Sequence, residues 1–461
     1  MSNAPRELPR ELNVWHGTAI VIGTIIGSGI FLVPAEMMQA AGSAKLVYLA
    51  WLVGGLLSLF GAMTYAELGA MKPEAGGEYV YIRDAYGPLP AFLYGWTWFI
   101  LAKPASIATI TSGVVRVLSG FHALSFLGKG IFPFTVNVLW MERDFQFTWG
   151  HLVSIACCIL ISYLNYLGVR KAGQFQLIFT ALKIVMVFVI VLAVFASASG
   201  AWSNFGLSFT GAKGGFAGFM AALVAALWAY DGWNDLNMVG GEMRDPQRTI
   251  PRSLICGVAV VAVLYMAVNA AVLYAMPPDA VAKSDVAAAD AMRVAVGAWG
   301  AGLVMAGMAI SMLVTLNGTI MSGARIPFAL ARDRNFFPAL AEIDPKFQTP
   351  ARAILVQAIV AIVLLIVGGA FRELFSLAIF SEWLFYMIAT STVFVFRARG
   401  LQRPFSAWGY PVFPALFVCA AGLLLYYTFF QNLRNSIIGL GLILAGIPLY
   451  LYFRRKHRNE A

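Results

Sequence analysis

The chain has 461 residues, of which 60% are hydrophobic, 14% aromatic and only 12% charged. A soluble protein of this length carries about twice that share of charge, so a water-soluble globular fold is excluded and a polytopic membrane protein is expected. The net charge of +10 does not imply nucleic acid: the basic residues fall in short loops between apolar stretches, as the positive-inside rule requires.

Twelve membrane spans are predicted, at about 15–41, 45–71, 88–119, 148–167, 173–199, 214–242, 250–275, 297–330, 351–368, 371–397, 408–430 and 434–453. The N-terminus is polar, and the first apolar stretch is too long for a signal peptide and lacks a cleavage site. With both termini on one side, that side holds 21 Lys and Arg, including Arg6, Arg244, Arg325 and Arg458, and the other holds 9. This asymmetry predicts cytoplasmic termini and a plasma (inner) membrane location.

The first span carries Gly23-Thr24-Ile25-Ile26-Gly27-Ser28-Gly29-Ile30-Phe31 at its centre. Gly23 and Gly27 have the G-x-x-x-G spacing of close helix packing. So many small residues also favour a broken helix, which hydrocarbon tolerates only where protein, water or ligand pairs the freed backbone groups. A second half-helix starting near Ile30 would aim bare N–H groups at the midplane, a site for a carboxylate.

Of the later spans, four carry an ionisable residue near mid-depth: Lys103, Lys183, Asp231 and Glu382. Charge at such depth is costly and signals function. Lys103 either has a functional role or pairs with backbone carbonyls of the broken helix. Lys183 is at least ten residues from either end of its predicted span, too far to snorkel to an interface. The sixth span reads Leu227-Trp228-Ala229-Tyr230-Asp231-Gly232-Trp233-Asn234-Asp235, and an Asp-Gly pair there disfavours a continuous helix. Asp231 either contacts a substrate amine or, the slightly favoured reading, caps the second half-helix. Glu382 either carries a proton or neutralises a lysine.

Breaks at matching places in spans one and six point to a transporter. An α-amino acid fits their polarity, its carboxylate on the amides of the first break and its ammonium on the carbonyls of the second. Cys157, Cys158, Cys256 and Cys419 all lie in spans and read as packing residues. No metal-ligand spacing, P-loop or hydrolase motif is present, so neither metal, cofactor nor enzyme activity is expected.

Three motif groups carry a family resemblance: Gly23–Phe31, Ala66-Glu67-Leu68-Gly69 with Gly76-Gly77-Glu78-Tyr79, and Trp228–Asn234 with Glu242-Met243-Arg244-Asp245-Pro246. Over about residues 13–400 the chain resembles the amino acid–polyamine–organocation superfamily, most closely its L-type amino acid transporter branch. The resemblance implies an all-α fold of twelve helices. A cytoplasmic N-terminus at 1–14 precedes a five-plus-five inverted-repeat core at 15–397, with helices one and six broken. Two appended helices at 398–453 and a cytoplasmic tail at 454–461 complete it. It implies that Ile25, Gly27, Ser28, Gly29 and the neighbouring Ile30 receive the substrate carboxylate. Trp228, Ala229 and Asp231 then receive the amino group, and Trp228 also serves as the external gate. Lys183 matches a family lysine that supplies, without sodium, the charge a cation supplies in sodium-driven relatives. The cysteine that joins many eukaryotic members to a glycoprotein partner is missing, so a stand-alone protein of bacterial type is expected. The reading is a sodium-independent exchanger of neutral L-amino acids with a small cavity. The alternatives are a proton-coupled importer, an exchanger of cationic amino acids or polyamines, and, from another class, a channel or non-transporting sensor.

Overall fold

The first predicted span is two helices set at 40° to each other, α1 (Val14–Ile25) and α2 (Gly29–Ala41). The coordinates are those of a computed structural model and describe residues 7–138, 141–367, 371–431 and 433–460. Within those ranges, side chains are described except at 136–138, 141–145, 371–379, 431 and 457–460. Arg6, counted in the charge asymmetry, lies outside them. Asn13 starts α1 by accepting from the amides of Trp15 and His16, and Gly42, at φ 77°, ends α2 in the left-handed conformation.

Ser43 caps α3 (Ala44–Met71), the second span. A short helix that the pattern reading left as a connection follows, α4 (Glu78–Tyr86). The third span is α5 (Pro88–Thr97), a π turn at Trp98–Ala102, and α6 (Lys103–Ser119). Next come α7 (Trp149–Tyr166), α8 (Val169–Ala196), α9 (Gly215–Ala229), the single turn α10 (Asp235–Met238) and α11 (Pro246–Ala275). Two short helices, α12 (Pro278–Ala282) and α13 (Ala287–Val296), precede α14 (Ala298–Gly323) and α15 (Arg325–Arg332). The remaining helices are α16 (Ala351–Val367), α17 (Phe371–Ala398), α18 (Val412–Gln431), α19 (Leu433–Leu444) and α20 (Gly446–Glu460).

Among the described residues, eight helical stretches are long and apolar enough to cross a membrane, or nine with the bent pair α1–α2 counted as one span. The protein is thus a mostly helical, multi-pass membrane protein. The other three predicted spans coincide with the shorter apolar helices α9 and α16 and with α17, which carries Glu382. One departure from the all-α expectation is an antiparallel hairpin of β1 (Gly130–Val138) and β2 (Met141–Thr148), in the segment read as a plain connection between spans three and four.

Both described ends of the chain meet the segment around α15. Leu8 packs in one cluster with Phe328, and the Phe453 ring lies 5.6 Å from that of Phe336. Phe121, before the hairpin, instead approaches Gly302 in the first turns of α14. At about 1.5 Å per residue, α14 separates these two ends by roughly the thickness of a bilayer core. In the interior, α1 packs against α8, α11 and α14, and α9 against α2 and α3, so the two interrupted helices meet centrally.

Candidate functional site

Ending α1 at Ile25 frees carbonyls at its C-terminus, and starting α2 at Gly29 frees amides at its N-terminus. The carbonyls are taken by side chains from three other helices. Lys183 Nζ, 1% exposed on α8, donates to Gly23 O and Ile26 O, each at 2.7 Å. From α14, Thr315 Oγ1 donates to Gly23 O at 2.9 Å and Ser311 Oγ to Ile26 O at 2.7 Å. From α11, Tyr265 Oη donates to Ile25 O at 3.0 Å. The amides are different. Those of Ser28, Gly29 and Ile30 meet no acceptor among the described residues.

The second break spans residues 230–234, between α9 and α10. Tyr265 Oη also donates to Ala229 O at 2.9 Å, and Thr24 Oγ1 donates to Gly232 O at 2.8 Å. Two glycines let the breaks touch. A Cβ on Gly29 would come within 3.1 Å of Ala229 Cα, and one on Gly232, at φ +108°, within 3.2 Å of the Thr24 carbonyl carbon.

Between the breaks lies a cavity of about 130 Å³. Of the residues predicted for the site, Ile25, Gly27, Ser28, Gly29, Trp228, Ala229, Asp231 and Glu382 line it. Ile30 is buried outside the lining, and Lys183 sits on the far side of the first break, facing its carbonyls.

Two readings of the charged residues need correction. Lys103 does not bind carbonyls of the broken helix; its ammonium forms a buried ion pair with the Asp235 carboxylate. Asp231 does not cap α10, whose cap position is Asn234; instead it accepts from Tyr386 Oη at 2.6 Å. Glu382 has no hydrogen bond or ion pair among the described residues, although it lines the same cavity as Lys103, Asp231 and Asp235. With Lys103 matched to Asp235, the lining carries more acid than base.

Sequence reasoning missed Tyr265, Ser311, Thr315, Asp235 and Asn234. Each is a polar side chain within an apolar span, and that was the available signal. Asn234 reaches further, donating through Nδ2 to Glu78 Oε1 at 2.7 Å, while Tyr94 Oη donates to Glu78 Oε2 at 2.8 Å. Glu78 begins α4, outside the spans, and burial raises its pKa to about 7 against the lowering pull of Asn234, Tyr94 and Lys103.

Toward the termini, outside the cavity lining, lies a further buried ion pair. Arg325, fully buried, donates from Nε and Nη2 to both oxygens of Glu242 at 2.8 Å and from Nη1 to Met321 O at 2.8 Å. Gly76 N donates to Met238 O at 2.9 Å, and the N-terminal segment pairs through Leu12 N to Glu242 O at 3.0 Å. Such a bidentate pair, sealed from water, ties Glu242 to the start of α15.

Known proteins with similar sequences share this whole length. The serine/threonine exchanger SteT of Bacillus subtilis is 29% identical over 97% of this chain and 98% of its own. The b(0,+)-type amino acid transporter 1 of Mus musculus is 33% identical over 91% of this chain and 82% of its own. The human large neutral amino acids transporter small subunit 2 is 28% identical over 97% and 82%. The amino acid permease family matches residues 12–452. The helix ends at Ile25 and Ala229, and the polar cavity between them, occur in a chain that belongs to the amino acid permease family, within the amino acid–polyamine–organocation superfamily.

Proposed function

We propose that this protein exchanges neutral L-amino acids across the plasma membrane by alternating access, without sodium. The observation that carries this reading is the pairing pattern at the first break: its carbonyls are taken by Lys183, Ser311, Thr315 and Tyr265, while the amides of Ser28 and Gly29, which line the cavity, have no acceptor among the described residues. A substrate carboxylate fits those amides and the positive end of α2. The fixed ammonium of Lys183 already occupies the carbonyls that a metal cation would otherwise serve. The substrate ammonium sits toward Ala229 and Asp231, and Trp228 covers it from outside. About 10–15 Å³ of such space holds one water, so the cavity has room for about ten water-sized groups, the bulk of a small amino acid.

The chain is organised as twelve spans with cytoplasmic termini. Residues 15–397 form two inverted five-helix repeats, 398–453 add two helices, and no disulfide-linked subunit is needed. Spans one, two, six and seven rock against the rest. The serine/threonine exchanger among the relatives supports both small substrates and exchange.

A second reading rests on the surplus of acid in the lining. With Lys103 matched to Asp235, Asp231 and Glu382 favour a cationic amino acid, or a proton on Glu382 that makes uptake proton-coupled. Flux into sealed liposomes separates the two. Exchange that needs internal serine or threonine, ignores sodium and ignores an imposed pH gradient is the expected result. Concentrative uptake into empty liposomes with an acidic exterior, or better competition by lysine and arginine than by serine, would replace the first reading with the second.

A further inference from the structure

Asn234 holds the cap position of α10 and yet does not cap it. An asparagine there ordinarily turns its side-chain oxygen back onto the first amides of the helix. Asn234 makes no such bond. Its Nδ2 donates instead to Glu78 Oε1, at 2.7 Å. Its Oδ1 meets no donor among the described residues, although Asn234 is only 2% exposed and lines the cavity between the breaks.

A side-chain amide is ambiguous in a way that a carboxylate is not. Turned one way it offers its surroundings an acceptor, turned the other way two donors, and its partner decides. Glu78 removes the ambiguity. An ionised carboxylate only accepts, so the NH2 arm of Asn234 must face it, and the oxygen arm is left for the cavity. Glu78 is itself held fast. It is fully buried, and its Oε2 accepts from Tyr94 Oη at 2.8 Å. The turn before it is pressed against α10: Gly76 N donates to Met238 O at 2.9 Å, and a Cβ on Gly77 would come within 2.8 Å of Met238 N.

The second break is short of free acceptors. The ammonium of an α-amino acid has three donors to place. Ala229 O already takes the Tyr265 hydroxyl, Gly232 O that of Thr24, Asp231 that of Tyr386, and Asp235 the Lys103 ammonium. Glu382 is uncommitted, but no hydrogen bond among the described residues fixes its carboxylate. Asn234 Oδ1 is both uncommitted and held in place.

Resting on the amino acid reading above, we infer that Glu78 is a positioning residue for substrate recognition: by holding the Nδ2 arm of Asn234, it turns Oδ1 into the cavity as an acceptor for the substrate ammonium. Glu78 lies outside the cavity lining and does not touch the substrate. It selects for an ammonium through the amide it orients, because a flipped amide would meet that group with donors.

The test compares L-serine with L-glycerate, which keeps the carboxylate and the hydroxymethyl group and has a hydroxyl in place of the ammonium. Apparent affinities are read from the ligand-dependent rise in unfolding midpoint of the purified full chain in detergent. The measurement is made at pH 8, above the Glu78 pKa of about 7, so that the carboxylate is ionised. A hydroxyl donates and accepts, so it is indifferent to which arm of Asn234 it meets. The parent chain should therefore prefer serine. Glu78→Gln can bond Asn234 in either orientation, which keeps the packing but no longer dictates the amide; it should narrow the preference about threefold. Glu78→Leu should narrow it about tenfold, in both variants by weakening serine and sparing glycerate. Serine and glycerate weakened alike would mean that Glu78 only supports the fold, and would overturn the inference. An unchanged preference in both variants would overturn it equally. If Glu78→Leu does not fold, the glutamine variant decides alone. A parent chain that binds no serine would remove the amino acid reading and this inference with it, a result distinct from a serine-selective parent whose variants keep the same preference.

Discussion

The two breaks that face each other across the cavity are held by different chemistry. At the first, side chains bind backbone: Lys183, Ser311, Thr315 and Tyr265 all donate to carbonyls of residues 23–26. At the second, side chains chiefly bind side chains: Lys103 to Asp235, Tyr386 to Asp231 and Asn234 to Glu78. A backbone carbonyl cannot be mutated away, whereas a carboxylate can be removed with its partner. The first break should therefore tolerate no rescue, while the second should be repairable in pairs.

The largest expected effect is at Lys183. Lys183→Ala removes two hydrogen bonds from a charged donor, each worth about 1.5–3 kcal/mol, so exchange in liposomes should fall at least about 100-fold. No second substitution on α14 should restore it. A near-normal rate would show that Ser311 and Thr315 hold the break by themselves.

Next is the Lys103–Asp235 pair. Lys103→Met leaves a buried carboxylate uncompensated and should cost about 3–5 kcal/mol, read as a drop in the thermal unfolding midpoint in detergent. Lys103→Met combined with Asp235→Asn should recover most of it. If the double variant is no more stable than the single one, the proposed contrast between the breaks fails.

Glu78 gives a smaller, pH-dependent effect. Its pKa is raised by burial from 4.5 to about 7, so the folded, closed arrangement binds this proton more tightly than the open chain does. The resulting stability is fully present below about pH 4.5 and is lost as pH rises through about 7. It amounts to at most roughly 3 kcal/mol at about 1.4 kcal/mol per unit. Melting midpoints between pH 5 and 8 should fall in the parent chain and stay flatter in Glu78→Gln. Identical slopes would remove Glu78 from the account.

The smallest is Tyr265→Phe. The ring packing against Trp51 and Tyr230 survives, and only the hydroxyl is lost. A change of about 1 kcal/mol, or roughly fivefold in exchange rate, is expected. A loss as large as that of Lys183→Ala would mean the hydroxyl does more than join the two breaks.

Much of the architecture was legible because its causes are local. Glycines at 23, 27 and 29 and the Asp231-Gly232 pair disfavour helix wherever they stand, and Lys183 is too deep to reach water from any rotation of α8. The partners were not legible. A hydroxyl such as that of Ser311 or Thr315 in an apolar helix can simply bond back along its own turn, as Thr315 does to Ser311 O at 3.2 Å. Whether it also reaches Gly23 or Ile26 depends on how α14 is rotated against α1. For the same reason the sequence leaves Lys103 open between a functional role and backbone carbonyls, and does not point to the Asp235 carboxylate of α10. The hairpin is a different case. The alternation of Phe132, Phe134, Val136 and Val138 has the period of a strand, but the reading by spans assigns no element between 119 and 148.

Tyr265 has one proton and two acceptors, Ile25 O and Ala229 O, at nearly equal distances. It can give each only part of a bond. When the two broken helices separate, the proton need not be lost to both. It follows one carbonyl, and that bond strengthens as the other lapses. The net cost of parting is then the difference between one full bond and two partial ones, smaller than a whole hydrogen bond. A contact of this kind aligns two moving parts without locking them, and suits a joint that must come undone and re-form in every turnover.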